Sequence, residues 1–298
     1  AWPQITGQWD IAVTEGPHAA PEYLTEAGFE RVLDHEWIVQ RPAARSGVRL
    51  DGPPPDWARA DGGEAGLHPS NIHDNGYAFG AVDFTGDTPV LLGPDGPSLG
   101  GFTCPAVVVA ADRWKLGQLA PGDSVRLVAA SLETARALAR HDEDAVARLR
   151  SRPVAPRRTP TPTRDGGVLA AVPATDERPS ITCLLSGVEF VLVEYGPMAL
   201  DLELRARGHA LESAISGRSD RAFVDITAGI RSLLIHLDPE EISTEETVDL
   251  VLRSDELLPA ADELEIESRI VHLPLSWEDP ATLQAISRYM QEERDDAP

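Results

Sequence analysis

The chain has 298 residues, 42% of them hydrophobic and 25% charged, which is room for two ordinary domains that each bury a core. A formal net charge of -23 argues against a reader of phosphate backbones, which needs a basic footprint, and against an anionic membrane surface. No run approaches the roughly 18 apolar residues of a spanning helix, and "AWPQITGQWD" is not a signal peptide, so no membrane partner is expected.

In chain order, the first half alternates Gly, Pro, Asp and Asn with short apolar runs. "YAFGAVDFT" (77–85), "PVLL" (89–92), "PAVVVAA" (105–111) and "SVRLVAA" (124–130) read as strands, with "GPDGPSLGG" (93–101) a glycine-rich connection. Strands at this spacing predict a barrel or sandwich. The period then changes: Leu132, Ala135, Leu138, Ala139, Val146 and Leu149 share a helical face in 131–150. Residues 151–180, rich in Pro, Thr and Arg, read as an extended linker.

The second half starts with a predicted hairpin over 181–196 that turns at Ser186-Gly187. A helix over 197–215 follows, with Pro197 in its first turn and Leu200, Leu204, Leu211 and Ile215 at helical spacing. A hairpin over 222–238 comes next, then a helix capped by Ser243 with Glu246. A last helix opens at Asp279-Pro280, with Leu283, Ile286 and Met290 on its inner face. Cys104 and Cys183 sit in apolar runs without metal-ligand spacing, which predicts buried, reduced thiols and a cytoplasmic setting. The abrupt start without Met points to a processed chain or a piece of a longer one.

On residue types alone, "HPSNIHDNGY" (68–77), which reads as a polar loop, is the one stretch that reads as a site. His68 and His73 match no ligand pattern, and no metal is expected. The glycines of 93–101 lack the Gly-Lys-Ser/Thr ending of a phosphate loop. No nucleophile elbow occurs, and His209 and His236 fit structural roles. Arg231 follows a turn and reads by default as half of a surface salt bridge.

The run "GGEAGLHPSNIHDNGYAFGAVDFTGDTPVLLGPDGPSLGGFTCPAVVVAADRWKLGQLAPGDSVRL" (62–127) resembles the carboxyltransferase region of the urea carboxylases, which are biotin-dependent. So do "WPQITGQWDIAVTEGPHAAPEYL" (2–24), "RSGVRLDGPPPDWAR" (45–59), "VEYGPMALDLELRARGHAL" (193–211) and "DITAGIRSLLIHLDP" (225–239). The guanidine carboxylases are related, as are two components of the bacterial 5-oxoprolinase, long labelled the second and first subunits of allophanate hydrolase. The resemblance implies an α+β, β-rich chain of two cyclophilin-like β-barrel modules, one or both incomplete. Residues 1–150 resemble the former component, 151–180 are the linker, and 181–298 resemble the latter.

The implied reaction moves the carboxyl group of carboxybiotin to a nitrogen of urea or guanidine, giving allophanate or carboxyguanidine. A feeble nitrogen nucleophile needs positioning, the developing oxyanion needs fixed donors, and released CO2 must be kept from water. Asparagines suit a neutral multi-amide ligand because each offers donors and an acceptor. The resemblance thus implies a catalytic set of Asn71, His68, His73 and Asp74, with Asn75, Tyr77, Gly100, Gly101 and Arg231 binding substrate. Biotin would arrive on a carrier domain, and ATP and Mg would serve a biotin carboxylase domain; neither domain lies in this chain, which alone is expected to be silent. A 5-oxoprolinase-type hydrolase component and a non-catalytic regulatory binding module are the alternatives.

Overall fold

The computed structural model describes residues 5, 7–60, 62–147, 167–216, 222–260, 263–266 and 268–292. Two compact units divide the chain, 1–264 and 265–298. The larger opens with strand β1 (Gln8–Glu15), helix α1 (Glu26–Asp34), and strands β2 (Glu36–Ala44) and β3 (Gly47–Asp51). Strands β4 (Asn71–Gly76), β5 (Ala81–Thr85), β6 (Thr88–Leu92), β7 (Leu99–Phe102) and β8 (Ala106–Val108) follow. The short helix α2 (Arg113–Leu116), strand β9 (Ser124–Ala129) and helix α3 (Leu132–Ala147) complete the first half.

Seven of these strands close a barrel in the order β1-β8-β5-β6-β3-β2-β9, shut by parallel pairing of β1 with β9 from Gln8↔Ser124 to Val13↔Ala129. Closure removes the free edges that short strands otherwise expose. Ile11, Leu24, Leu50, Val82, Phe84, Leu91 and Leu127 fill its core, with Trp37 donating its indole N–H to the Val32 carbonyl at 3.0 Å. β4 and β7 stand apart as a two-stranded ribbon.

The second half carries β10 (Val168–Val172), β11 (Ile181–Leu185), β12 (Phe190–Tyr195), helix α4 (Leu202–Ser216), β13 (Phe223–Ala228), β14 (Ser232–Leu237) and helix α5 (Thr244–Glu256). Its five strands form an open sheet, β10-β11-β12-β14-β13, and Leu211, Ile215, Val248 and Val251 of the helices join the sheet's buried face in one core. Of the two modules expected, the first is a closed barrel, and the second shows an open five-stranded sheet. Both hairpins and the Ser243 capping box form as the sequence predicts.

Three elements depart from expectation. Strand β10 occupies part of the stretch read as linker, held to β11 from Val168↔Leu184 to Val172↔Ile181; residues 151–166 lie outside the described residues. Helix α4 starts at Leu202 rather than near Pro197, because the Asp201 carboxylate accepts the Glu203 N–H at 2.8 Å and sets the first turn there. Leu200 is consequently exposed. In the smaller unit, helix α6 (Pro280–Glu292) is capped by Asp279 as expected, yet Leu283 and Met290 are exposed and Ile286 is half-buried. Among the described residues no second helix or strand of that unit covers them. On α3, Ala135 is buried and Leu132 and Leu138 pack on the same cluster; Leu149 lies outside the described residues, as does the side chain of Val146.

Within the larger unit the two halves share cores: Ala78 and Val107 pack with Leu184, Phe190, Leu192 and Leu234. Arg113 pairs with Glu189, and Arg136 forks onto the Glu245 carboxylate at 2.9 and 2.8 Å. The second half also holds a fully buried guanidinium. Arg207 donates to the Asp255 carboxylate at 2.9 Å and to the carbonyls of Asp255 and Pro259, while the Tyr195 hydroxyl donates to the same carboxylate at 2.8 Å. Removing one partner strands the other charge. Arg207→Ala should therefore cost about 3–5 kcal/mol in guanidinium-induced unfolding; a loss below about 1 kcal/mol would show that the pair is dispensable.

Candidate functional site at the junction of the two halves

The polar stretch expected as a loop is a strand. Asn71–Gly76 pairs antiparallel with Leu99–Phe102, with Asn75 opposite Gly100 and an irregular register between Asn71 and Asn75. Two contacts hold β4. At its start, the Arg59 guanidinium donates to the carbonyls of Pro69 (3.2 Å) and Asn71 (2.9 Å) and reaches Met198 Sδ at 3.4 Å. Near its end, the Asp74 carbonyl accepts the Ile230 N–H at 2.9 Å from the second half. Gly229 permits that approach: a β-carbon there would collide with the Asp74 carbonyl, the Asn75 backbone and the Ser232 side chain.

The expected site residues divide into groups. Asn75 is buried, its Nδ2 donates to the Gly100 carbonyl at 3.2 Å, and its Oδ1 has no partner among the described residues. His73 is buried with Nε2 3.0 Å from the Glu64 carboxylate, and its Nδ1 has no partner among the described residues either. Asn71 is half-buried at the head of the strand, its N–H bonded to the His68 carbonyl at 2.8 Å. His68 is drawn elsewhere. Its Nδ1 accepts the Ser70 N–H at 3.2 Å, Nε2 sits 3.3 Å from Asp87, and Trp57 packs edge-on against the ring. Asp74 is exposed. Among the described residues no group of three or more His, Cys, Asp or Glu side chains is placed to hold a metal ion.

Gly100 and Gly101 are explained by neighbours from this chain. A β-carbon on Gly100 would lie 2.6 Å from the Tyr77 ring, and one on Gly101 would lie 2.8 Å from the Asp74 carboxylate. The Tyr77 hydroxyl accepts the Phe102 N–H at 2.7 Å, and the buried Asp83 nearby accepts from Thr85 through Oδ2 at 3.1 Å. Tyr77 thus holds the ribbon at Phe102.

Arg231 reaches a carboxylate, but in the interior rather than at the surface. It donates to Glu194 at 3.0 Å and to the carbonyls of Tyr195 and Gly196 at 3.3 and 3.1 Å, leaving Nε without a partner among the described residues. Burial pushes the Glu194 carboxyl up, against the pull of Arg231.

Residue patterns missed the other side of the junction. His18 and Tyr23 follow β1, with their rings 5.0 Å apart, and Arg59 lies over the Tyr23 ring at 5.6 Å. Burial, Arg231 and Arg59 hold His18 down at about 3. Burial and the carboxylates of Glu194 and Glu22 raise Tyr23. His73 acts on Glu194 in turn. His18, Tyr23, Arg59, His73, Glu194 and Arg231 therefore share one electrostatic neighbourhood. The signal lay in "GPHAAPEY" and "VEYGP", short turns whose polar residues carry no diagnostic spacing.

Comparison with known proteins fits this architecture. Residues 1–129 match the carboxyltransferase domain, subdomains A and B, and residues 181–296 match subdomains C and D. The chain belongs to the carboxyltransferase domain family. It is 38% identical over 294 residues to the urea amidolyase of Lachancea kluyveri and 37% identical over 303 residues to that of Saccharomyces cerevisiae, spanning 98% and 99% of this chain but 16% of each relative. The crystal structure of the Kluyveromyces lactis urea carboxylase superposes with a TM-score of 0.81 at 36% identity, over 98% of this chain and 26% of that one. No helix among the described residues is long and apolar enough to cross a membrane.

The Asp83 carboxyl generates a pH prediction. Burial raises it from 3.8 to about 6, so the folded state favours the protonated form. Its contribution is fully present below about pH 4 and is lost as pH rises through about 6. Asp83→Asn removes the ionisation. Relative to wild type, it should gain about 2–3 kcal/mol between pH 4 and pH 8 in guanidinium unfolding; a pH-independent difference would show that Asp83 titrates normally.

Proposed function

We propose that this chain is the carboxyltransferase portion of a biotin-dependent urea carboxylase, acting on urea or guanidine within a longer polypeptide. The biotin carboxylase domain that uses ATP and Mg, and the carrier domain, would lie in sequence outside this chain. The chain's two buried, free thiols accord with a reducing, cytoplasmic setting.

The observation that carries this reading is a set of buried polar atoms without partners among the described residues: Asn75 Oδ1, His73 Nδ1 and Arg231 Nε. Such orphans cost about 1–3 kcal/mol each unless a ligand meets them. Acceptors and a donor together suit a planar ureido group, which presents one carbonyl oxygen and N–H bonds. Urea has that group, and so does the biotin ring, so the residues fit both.

Biotin, when bound, supplies the activated carboxyl group. The chain's residues do the rest. Asn75 Oδ1 accepts an N–H of the ligand and fixes its rotation, while Nδ2 stays tied to Gly100. Arg231 Nε–H donates to the oxygen on which negative charge grows. His73 Nδ1 is placed to take a proton from the attacking nitrogen, with the Glu64 carboxylate steadying the ring from Nε2. Asn71, at the head of the same strand, helps position the nitrogen. The turn at Gly229 brings Arg231 and Asn75 together.

Asn71→Ala and Asn75→Ala in the complete enzyme should each lower allophanate formation by roughly 10- to 100-fold while biotin carboxylation, followed by ATP cleavage, is unchanged. Unaltered allophanate formation in both would refute the assignment. The 298-residue chain alone, given ATP, bicarbonate, biotin and urea, should form no allophanate.

A further inference from the structure

His18 is fully buried, and its two ring nitrogens have different fates. The turn after β1 is laced to the strand end before β8: Gly16 N–H donates to the Pro105 carbonyl at 2.8 Å and His18 N–H to the Cys104 carbonyl at 3.3 Å. The Cys104 N–H donates back to His18 Nδ1 at 3.0 Å. A nitrogen that accepts an N–H carries no proton, so the ring proton of neutral His18 sits on Nε2. That Nε2–H has no partner among the described residues. Anchoring the turn requires Nδ1 alone, so the anchor leaves the other nitrogen unexplained.

The surroundings keep this donor uncharged. The ring is out of water, and Arg231 and Arg59 both oppose a second proton. Tyr23 packs edge-on against it, and Glu22 and Glu194 act on Tyr23 from beyond. Arg59, which lies over the Tyr23 ring, also holds the Asn71 carbonyl, so Tyr23 and Arg59 link His18 to the strand that carries Asn75 and His73. Where two guanidinium groups already supply positive charge, a neutral N–H adds direction without bringing an acid that could protonate the attacking nitrogen.

We propose that His18 is a further ligand-binding residue of this site, whose Nε2–H donates to a carbonyl or carboxyl oxygen of the bound small molecule. The proposal deepens the carboxyltransferase reading and rests on it for the identity of the ligand.

His18→Asn separates anchoring from binding, because its Oδ1 can still accept the Cys104 N–H while the Nε2 donor is gone. In the complete enzyme, this variant should lose roughly 10- to 100-fold in kcat/KM for urea with Tm and urea-independent biotin carboxylation near wild type. His18→Gln, which returns an N–H near the Nε2 position, should recover part of the loss. Wild-type transfer kinetics in His18→Asn would overturn the proposal. A second readout needs no turnover: in the chain labelled with 15N-histidine, His18 should remain the neutral Nε2–H tautomer from pH 8 to pH 5. An Nδ1–H tautomer, or a titration in that window, would overturn it whatever reaction the enzyme performs. A shift of the Nε2–H resonance on adding urea or biotin supports the proposal even if the complete enzyme forms no allophanate, a result that would remove the urea carboxylase reading alone.

Discussion

The hydrogen bond from the Ile230 N–H to the Asp74 carbonyl joins the two halves at the place where the polar strand passes. A main-chain bond of this kind fixes spacing more tightly than side-chain contacts, since neither group can rotate away. With β4 set against the 229–232 turn, Asn75 meets the segment that carries Arg231. Arg59 clamps the opposite end of the strand, and the Tyr77 hydroxyl holds its partner strand at Phe102. The site depends on that ribbon being held from three sides.

Electrostatics explain why the junction tolerates so much buried polarity. Arg231 is paired with Glu194 and Arg59 is spent largely on carbonyls, so neither guanidinium is left naked. A buried charge survives when paired and hydrogen-bonded, and its field then acts on neighbours that are not. Here the neighbour is His18, which burial keeps neutral with the two arginines adding to it. Atoms of Asn75, His73 and Arg231 without partners among the described residues cost stability.

Much of the architecture was legible in residue order. The strands at 81–92 and 124–129, both second-half hairpins, and the capping box at Ser243 follow from alternation, turn chemistry and cap spacing, all local effects. The polar stretch 68–77 was recognisable as special but not as a strand, because Asn, His and Asp disfavour strands on their own and only pairing with Leu99–Phe102 overrides that tendency. His68 and His73 looked equivalent in sequence. The fold turns one toward Trp57 and Asp87 and the other inward toward Glu64.

By itself the sequence determined many of the elements and the family, because those depend on periodicity and on long continuous motifs. Tertiary structure decided the rest: which histidine faces inward, that Arg231 pairs with Glu194 in the interior, and that His18 and Arg59 join residues far along the chain. Those outcomes rest on pairings between separate segments, Arg231 with Glu194 across 37 positions and His18 with Cys104 across 86, and no local pattern encodes them. The partners of a buried charge are chosen only when the chain packs around it.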